Sequence, residues 1–104
     1  MKQFEVFANP ITRARRTYPY VVVLQSEVAH IGRDRAVAPT VPRAALPAIP
    51  GRLTPFVRIK GKDFVLLVTS LTTLPATSLG TPVASLADRR EDIFAAIDYL
   101  FFGV

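Results

Sequence analysis

The chain has 104 residues, half of them apolar, with thirteen basic and eight acidic side chains and a net charge of +5. That length implies one domain, residues 1–104, around a single modest core. There is no cysteine and His30 is the only histidine; this excludes disulfides and, in practice, a zinc site of the usual ligands, so neither metal nor cofactor is expected.

Nine prolines, spread from Pro10 to Pro82, break helices internally, so nearly everything before residue 83 is expected to be strand or loop. Lys2 to Phe7 reads as a first strand with Phe4 and Val6 on one face. Asn9 to Thr17, with Pro10, Arg13, Arg15 and Arg16, reads as an exposed loop. Tyr18 to Gln25 is the strongest strand signal, and the unbroken apolar run Tyr20 to Leu24 predicts burial on both faces and a central position. Ser26 to Arg35 is a polar connection, and Ala36 to Val41 a weaker strand ending at Pro42. Pro42 to Gly51 is a proline-spaced connector with room for one helical turn. Pro55 to Lys60 alternates, with Val57 and Ile59 inward and Arg58 and Lys60 outward. Gly61-Lys62 suits a two-residue type II′ turn. Asp63 to Leu71 is the return strand, and Thr72 to Pro82 reads as loop.

One helix remains, at the end. Ser85-Leu86-Ala87-Asp88 has the form of a capping box, the acids Asp88, Glu91 and Asp92 suit a first turn, and Gly103 supplies a stop. The expected fold class is mainly β: an antiparallel sheet or small barrel of about five strands closed by a C-terminal helix. At helical spacing Leu86, Ile93, Ile97, Leu100, Phe101 and Val104 form one arc, with Phe94 at its edge, and this is the expected core face. Asp88, Glu91, Ala95 and Asp98 lie opposite, and so do Tyr99 and Phe102. An exposed aromatic pair calls for a cover, either a second copy or a partner protein; the alternative is that Phe102 folds back onto its own sheet.

Residues 1–87 hold eleven of the thirteen basic side chains and only four acidic ones. A polyanion or acidic peptide would meet that body rather than the tail. Arg13, Arg15 and Arg16 are the candidate contacts, against the plainer reading of a solvated loop. No aromatic interleaves the basic sites as a base-stacking platform requires, and no direct sequence-specific nucleic-acid binding is expected. There is no P-loop, no GxGxxG and no cysteine nucleophile, and His30 in a polar loop is a poor candidate for catalysis, so no catalytic residue is expected. A metal-free ribonuclease built on Arg, on Thr or Ser, and on Lys stays open. The apolar runs are too short to cross a bilayer, no secretory signal is evident, and a cytoplasmic location without membrane association is expected.

The tail carries a resemblance. Val83-Ala84-Ser85-Leu86, Asp92-Ile93-Phe94-Ala95-Ala96-Ile97 and Phe101-Phe102-Gly103-Val104 resemble the C-terminus of CcdB toxins, which end in an aromatic-Trp-Gly-Ile tail after a helix with an Asp-Ile-x-x-Ala-Ile core. Val23-Leu24-Gln25-Ser26-Glu27 is similar to the family's "VQSD" strand end, followed by Gly32-Arg33-Asp34-Arg35 and a strand ending Ala38-Pro39. Pro55 to Phe64 is similar to the family's hairpin, whereas Pro42 to Leu53 matches poorly. The resemblance implies an SH3-like barrel acting as a homodimer, a toxin that wedges into the A subunit of DNA gyrase and traps the cleaved DNA–enzyme complex, and no enzymatic activity. It implies gyrase contact at Phe102, Gly103 and Val104, and a short acidic antitoxin as partner. The exposed helix side makes Ala95, Asp98, Tyr99 and Phe102 the expected dimer interface, and the basic loop makes Arg13, Arg15 and Arg16 the expected antitoxin contacts. The family's tryptophan is Phe102 here, which keeps the π-face and loses the indole N–H. A weaker toxin, one tuned to another gyrase, and a non-toxic relative all stay open at this point. So does an endoribonuclease toxin on the same barrel, although the early Arg-Gly-Asp motif of those enzymes is absent.

Overall fold

The computed structural model describes residues 1–29, 32–46 and 51–103. Seven strands and one helix follow in chain order: β1 (Glu5–Ala8), β2 (Tyr20–Val23), β3 (Asp34–Pro42), β4 (Phe56–Ile59), β5 (Lys62–Leu66), β6 (Thr72–Pro75), β7 (Ala84–Ser85) and α1 (Arg90–Phe102). All pairings are antiparallel, in the order β4-β5-β3-β2-β1-β7, with β6 also on β3. The result is a nearly closed, barrel-like sheet carrying one C-terminal helix.

β3 is the hinge of this architecture. Residues 34–37 pair with β6 and residues 40–42 pair with β5. Pro39 sits at the changeover. Proline has no N–H to give a ladder, and here its position falls between two strand partners, while its carbonyl accepts the Leu67 N–H at 2.9 Å. Opposite the changeover, β2 pairs through Val21↔Pro39, Val22↔Ala38 and Val23↔Val37. The buried Thr40 hydroxyl donates to the Tyr20 carbonyl at 3.2 Å.

The period-2 alternation of β1, β2 and β3 sends side chains to two separate cores. Phe4, Val6, Val22 and Ala38 pack with Val57, Ile59, Phe64 and Leu66 of the hairpin and with Leu86, Ile93 and Ala96 of the terminal segment. Phe7, Val21, Val23 and Val37 point the other way and are covered by Leu74 and Leu79. The apolar run of β2 is thus buried on both faces, as its composition predicts.

Several boundaries differ from the sequence reading, each for a local reason. The hairpin closes at Ile59↔Lys62, so its turn is Lys60-Gly61, one residue earlier than expected. Both residues have positive φ, 51° and 78°, which makes it type I′ rather than II′. Thr72 to Pro75 is a strand instead of loop, because the first half of β3 offers an open edge and Thr is a good strand former. The first strand starts late, since Phe4 takes φ 69° yet still points into the main core. The return strand ends at Leu66, and Val68–Ser70 forms a 3-10 turn.

The capping box does not form around α1. β1 captures Ser85 by pairing it with Glu5, and the Ser85 hydroxyl accepts the Ala87 N–H at 3.2 Å. That bond opens a 3-10 turn, Ala87–Arg89, which carries Asp88, and the α-helix begins only at Arg90. No helix is long and apolar enough to cross a membrane among the described residues.

Candidate interaction surface

The buried stripe of α1 is Ile93 and Ala96, with Ile97 and Leu100 half-buried against the same core. Phe101, expected on the core face, is 60% exposed. The core reaches along α1 as far as Leu100, and Phe101 is not among the side chains packed against it. Phe94, at the edge of the stripe, meets Phe4 edge-to-face at 5.3 Å between ring centroids.

Ala95, Asp98, Tyr99 and Phe102 follow i, i+3, i+4, i+7 spacing and are all exposed, so they share one face of the helix. Phe102 is the most open of them at 75%, and it does not fold back onto the sheet. Gly103 ends the helix with φ 73°, and its N–H donates to the Tyr99 carbonyl at 3.0 Å. Only glycine takes that left-handed conformation without strain, so the aromatic tip is held by a defined stop. Val104 lies outside the described residues.

Beside this face lies a set of residues that the sequence reading passed over. The Arg52 guanidinium sits 5.2 Å from the Tyr99 ring centroid. A shallow hollow of about 240 Å³ is lined by Gly51, Arg52, Pro55, Phe56, Arg89 and Asp92 together with Ala95. Arg89 donates to the Phe56 carbonyl at 2.9 Å and pairs with Asp92 at 3.0 Å. Only the β4–helix packing brings residues so far apart in sequence together, and no local motif announces it.

The basic loop between β1 and β2 is more ordered than its composition suggests. Asn9 is buried. Its side chain donates to the Tyr18 carbonyl at 2.9 Å and accepts the Ile11 N–H at 3.0 Å, and its own N–H reaches the Pro19 carbonyl. These bonds close the loop at its base. Arg13, Arg15 and Arg16 are exposed on it, and Arg15 Nε donates to the Asn9 carbonyl. The structure therefore places the arginine set on the β1–β2 loop and the aromatic set on α1, two separate elements. His30 lies outside the described residues.

The Gln25-Ser26 pair also gains a physical reason. Gln25 Oε1 accepts the Ala36 N–H at 3.0 Å and its Nε2 donates to the Ala29 carbonyl. Ser26 Oγ accepts the Val28 N–H at 3.3 Å. Together they shape the exit from β2 into a 3-10 turn at Glu27–Ala29.

No group of three or more His, Asp or Glu side chains suited to a metal ion occurs among the described residues. What the surface does present is exposed aromatics, guanidinium groups and a strand edge. Comparison with known families gives a match to the family described as CcdB protein over residues 3–103, which takes in the barrel, the basic loop and all of α1.

Proposed function

We propose, for a chain that belongs to the CcdB family, the activity of a toxin that binds the A subunit of DNA gyrase and poisons the cleaved DNA–gyrase complex. The family is one of toxin–antitoxin toxins aimed at gyrase, and it acts by binding rather than as a classical enzyme. The observation that carries the reading is the exposed Phe102 ring at the end of a helix that Gly103 stops in the left-handed conformation. A flat apolar ring at a chain end can enter a pocket or stack on a guanidinium, and glycine beside it lets backbone approach backbone. Phe102, Gly103 and Val104 are the gyrase-contacting residues in this reading, and residues 1–104 act as one toxin domain.

The active species is a homodimer joined near Ala95, Asp98, Tyr99 and Phe102. An exposed face of this kind suits a two-fold axis, where each residue meets its symmetry-related neighbours. Charge supports it too. Asp98 on the helix face and Arg52 beside it each lack an ion-pair partner among the described residues, so two copies facing one another offer acid to base in both directions. A short acidic antitoxin binds the basic loop through Arg13, Arg15 and Arg16, by charge-assisted hydrogen bonds.

The test is a gyrase supercoiling and DNA-cleavage assay with the full chain beside a variant lacking residues 102–104. The full chain inhibits supercoiling and accumulates cleaved DNA, and the truncated chain does neither while still unfolding cooperatively, the two being compared at a concentration where both are dimeric by size. Equal activity of the two proteins would remove the tail from the mechanism.

A further inference from the structure

β4 is the terminal strand of the sheet order, and the hairpin register states which of its groups are spoken for. With Ile59↔Lys62 closing a two-residue turn, the backbone groups of Ile59 and Val57 face β5. Pro55 keeps the same parity, since its carbonyl accepts the Leu66 N–H at 3.0 Å. Phe56 and Arg58 therefore turn their N–H and C=O groups to the outer edge. Arg89, which reaches the Phe56 carbonyl from outside, confirms that direction. No strand occupies this edge among the described residues.

The surroundings of the edge are chemically specific. A hollow of about 300 Å³ beside it is lined by Arg43, Phe56, Val57, Arg58, Asp63, Asp88 and Arg89. The Arg43 guanidinium lies 4.3 Å from the Phe56 ring centroid, and stacking on an aromatic ring holds its N–H groups in a fixed plane. Asp63 and Asp92 are engaged by Arg58 and Arg89. Arg43 and Asp88, which line the same hollow, each lack an ion-pair partner among the described residues.

The geometry points to the outer edge of β4 as a seat for an extended acidic segment of a partner protein, added as a further strand. Such a segment takes the outward N–H groups of Phe56 and Arg58 by main-chain pairing. Its alternate residues then fall on the exposed side, beside Arg43 and Arg58, and on the side of Val57. A carboxylate suits the position beside Arg43, the guanidinium that no carboxylate of the described residues engages, and small apolar side chains suit the second set. The toxin–antitoxin reading is relied on only for the source of such a segment in the cell. The edge and its arginines are distinct from the basic loop assigned above.

The test uses a synthetic capped peptide of alternating Glu and Val, titrated into the isotope-labelled full chain and followed by amide chemical shifts. The expected result is a set of shifts centred on the Phe56 and Arg58 amides, with slowed hydrogen exchange at Arg58. Arg43→Ala weakens binding about tenfold by removing the stacked, charge-assisted contact. Arg58→Pro deletes the outward donor at a position where an edge strand tolerates proline, and abolishes the shifts. Equal binding of a peptide with Lys in place of Glu, shifts centred on Arg13 to Arg16, or indifference to both variants would each overturn the proposal. So would the same edge shifts appearing with rising protein concentration and no peptide, which would assign the edge to a second copy. Because the readout is peptide binding, loss of gyrase poisoning in the tail deletion leaves this result standing, and the reverse holds as well.

Discussion

Arg89 and Phe56, 33 residues apart, are joined by a hydrogen bond from the guanidinium to the main-chain carbonyl at 2.9 Å. This bond fastens the start of the terminal helix to the open edge of β4, and Asp92 holds the same guanidinium from the next turn. Arg89→Ala releases both. The groups are partly solvated, so the expected loss is modest, about 1 kcal/mol or less. It is read as a small fall in Tm, with faster proteolysis near the helix start.

Ile93 and Phe102 sit on one helix and separate stability from recognition. Ile93 is fully buried in the main core, and Ile93→Ala is expected to lower stability by about 2–5 kcal/mol through lost burial and the cavity left behind. Phe102→Ala leaves the subunit core intact, costing the single chain less than about 0.5 kcal/mol, lowers only the concentration-dependent part of Tm that dimerisation supplies, and abolishes gyrase poisoning. Urea denaturation of both variants beside the supercoiling assay checks the split.

Gly103→Ala isolates the helix stop. A Cβ there meets open space, so the penalty is conformational alone, about 1 kcal/mol for holding φ near +73°. The expected outcome is fraying of the last turn, visible by amide exchange at the Gly103 N–H. Reduced gyrase inhibition without loss of the core fold accompanies it.

Asn9→Ala opens the base of the basic loop. The side chain is buried and makes two hydrogen bonds to the main chain, and leaving those groups without partners costs about 1–3 kcal/mol. Amides of the β1–β2 loop should exchange faster, while Val22 and Ala38 in the main core stay protected.

Lys60→Asn should stabilise the hairpin. Lys60 holds φ 51° in a type I′ turn, and Asn before Gly is the preferred pair there, worth a few tenths of a kcal/mol to about 1 kcal/mol. A raised Tm with unchanged gyrase inhibition is expected, because the turn carries no residue assigned to recognition.

The sequence by itself determined the local terms. Proline spacing excluded early helices, the apolar run of β2 dictated burial on both faces, alternation in β4 set Val57 and Ile59 inward, and the i, i+3, i+4, i+7 spacing put Ala95, Asp98, Tyr99 and Phe102 on one helix face. Each of these depends on interactions within a few residues, and each could be read directly. The tertiary structure decided whatever depends on a distant partner. Ser85 could cap a helix or join a strand, and the proximity of Glu5 chose the strand. Thr72 to Pro75 became ordered because β3 offered an unpaired edge. Phe101 was left in solvent, since the side chains packed on the core along α1 end at Leu100. The Arg43–Phe56–Arg89–Arg52 surface arises where two segments far apart in the chain pack together, so no local pattern carries it. Guanidinium groups and an open strand edge meet there only after folding.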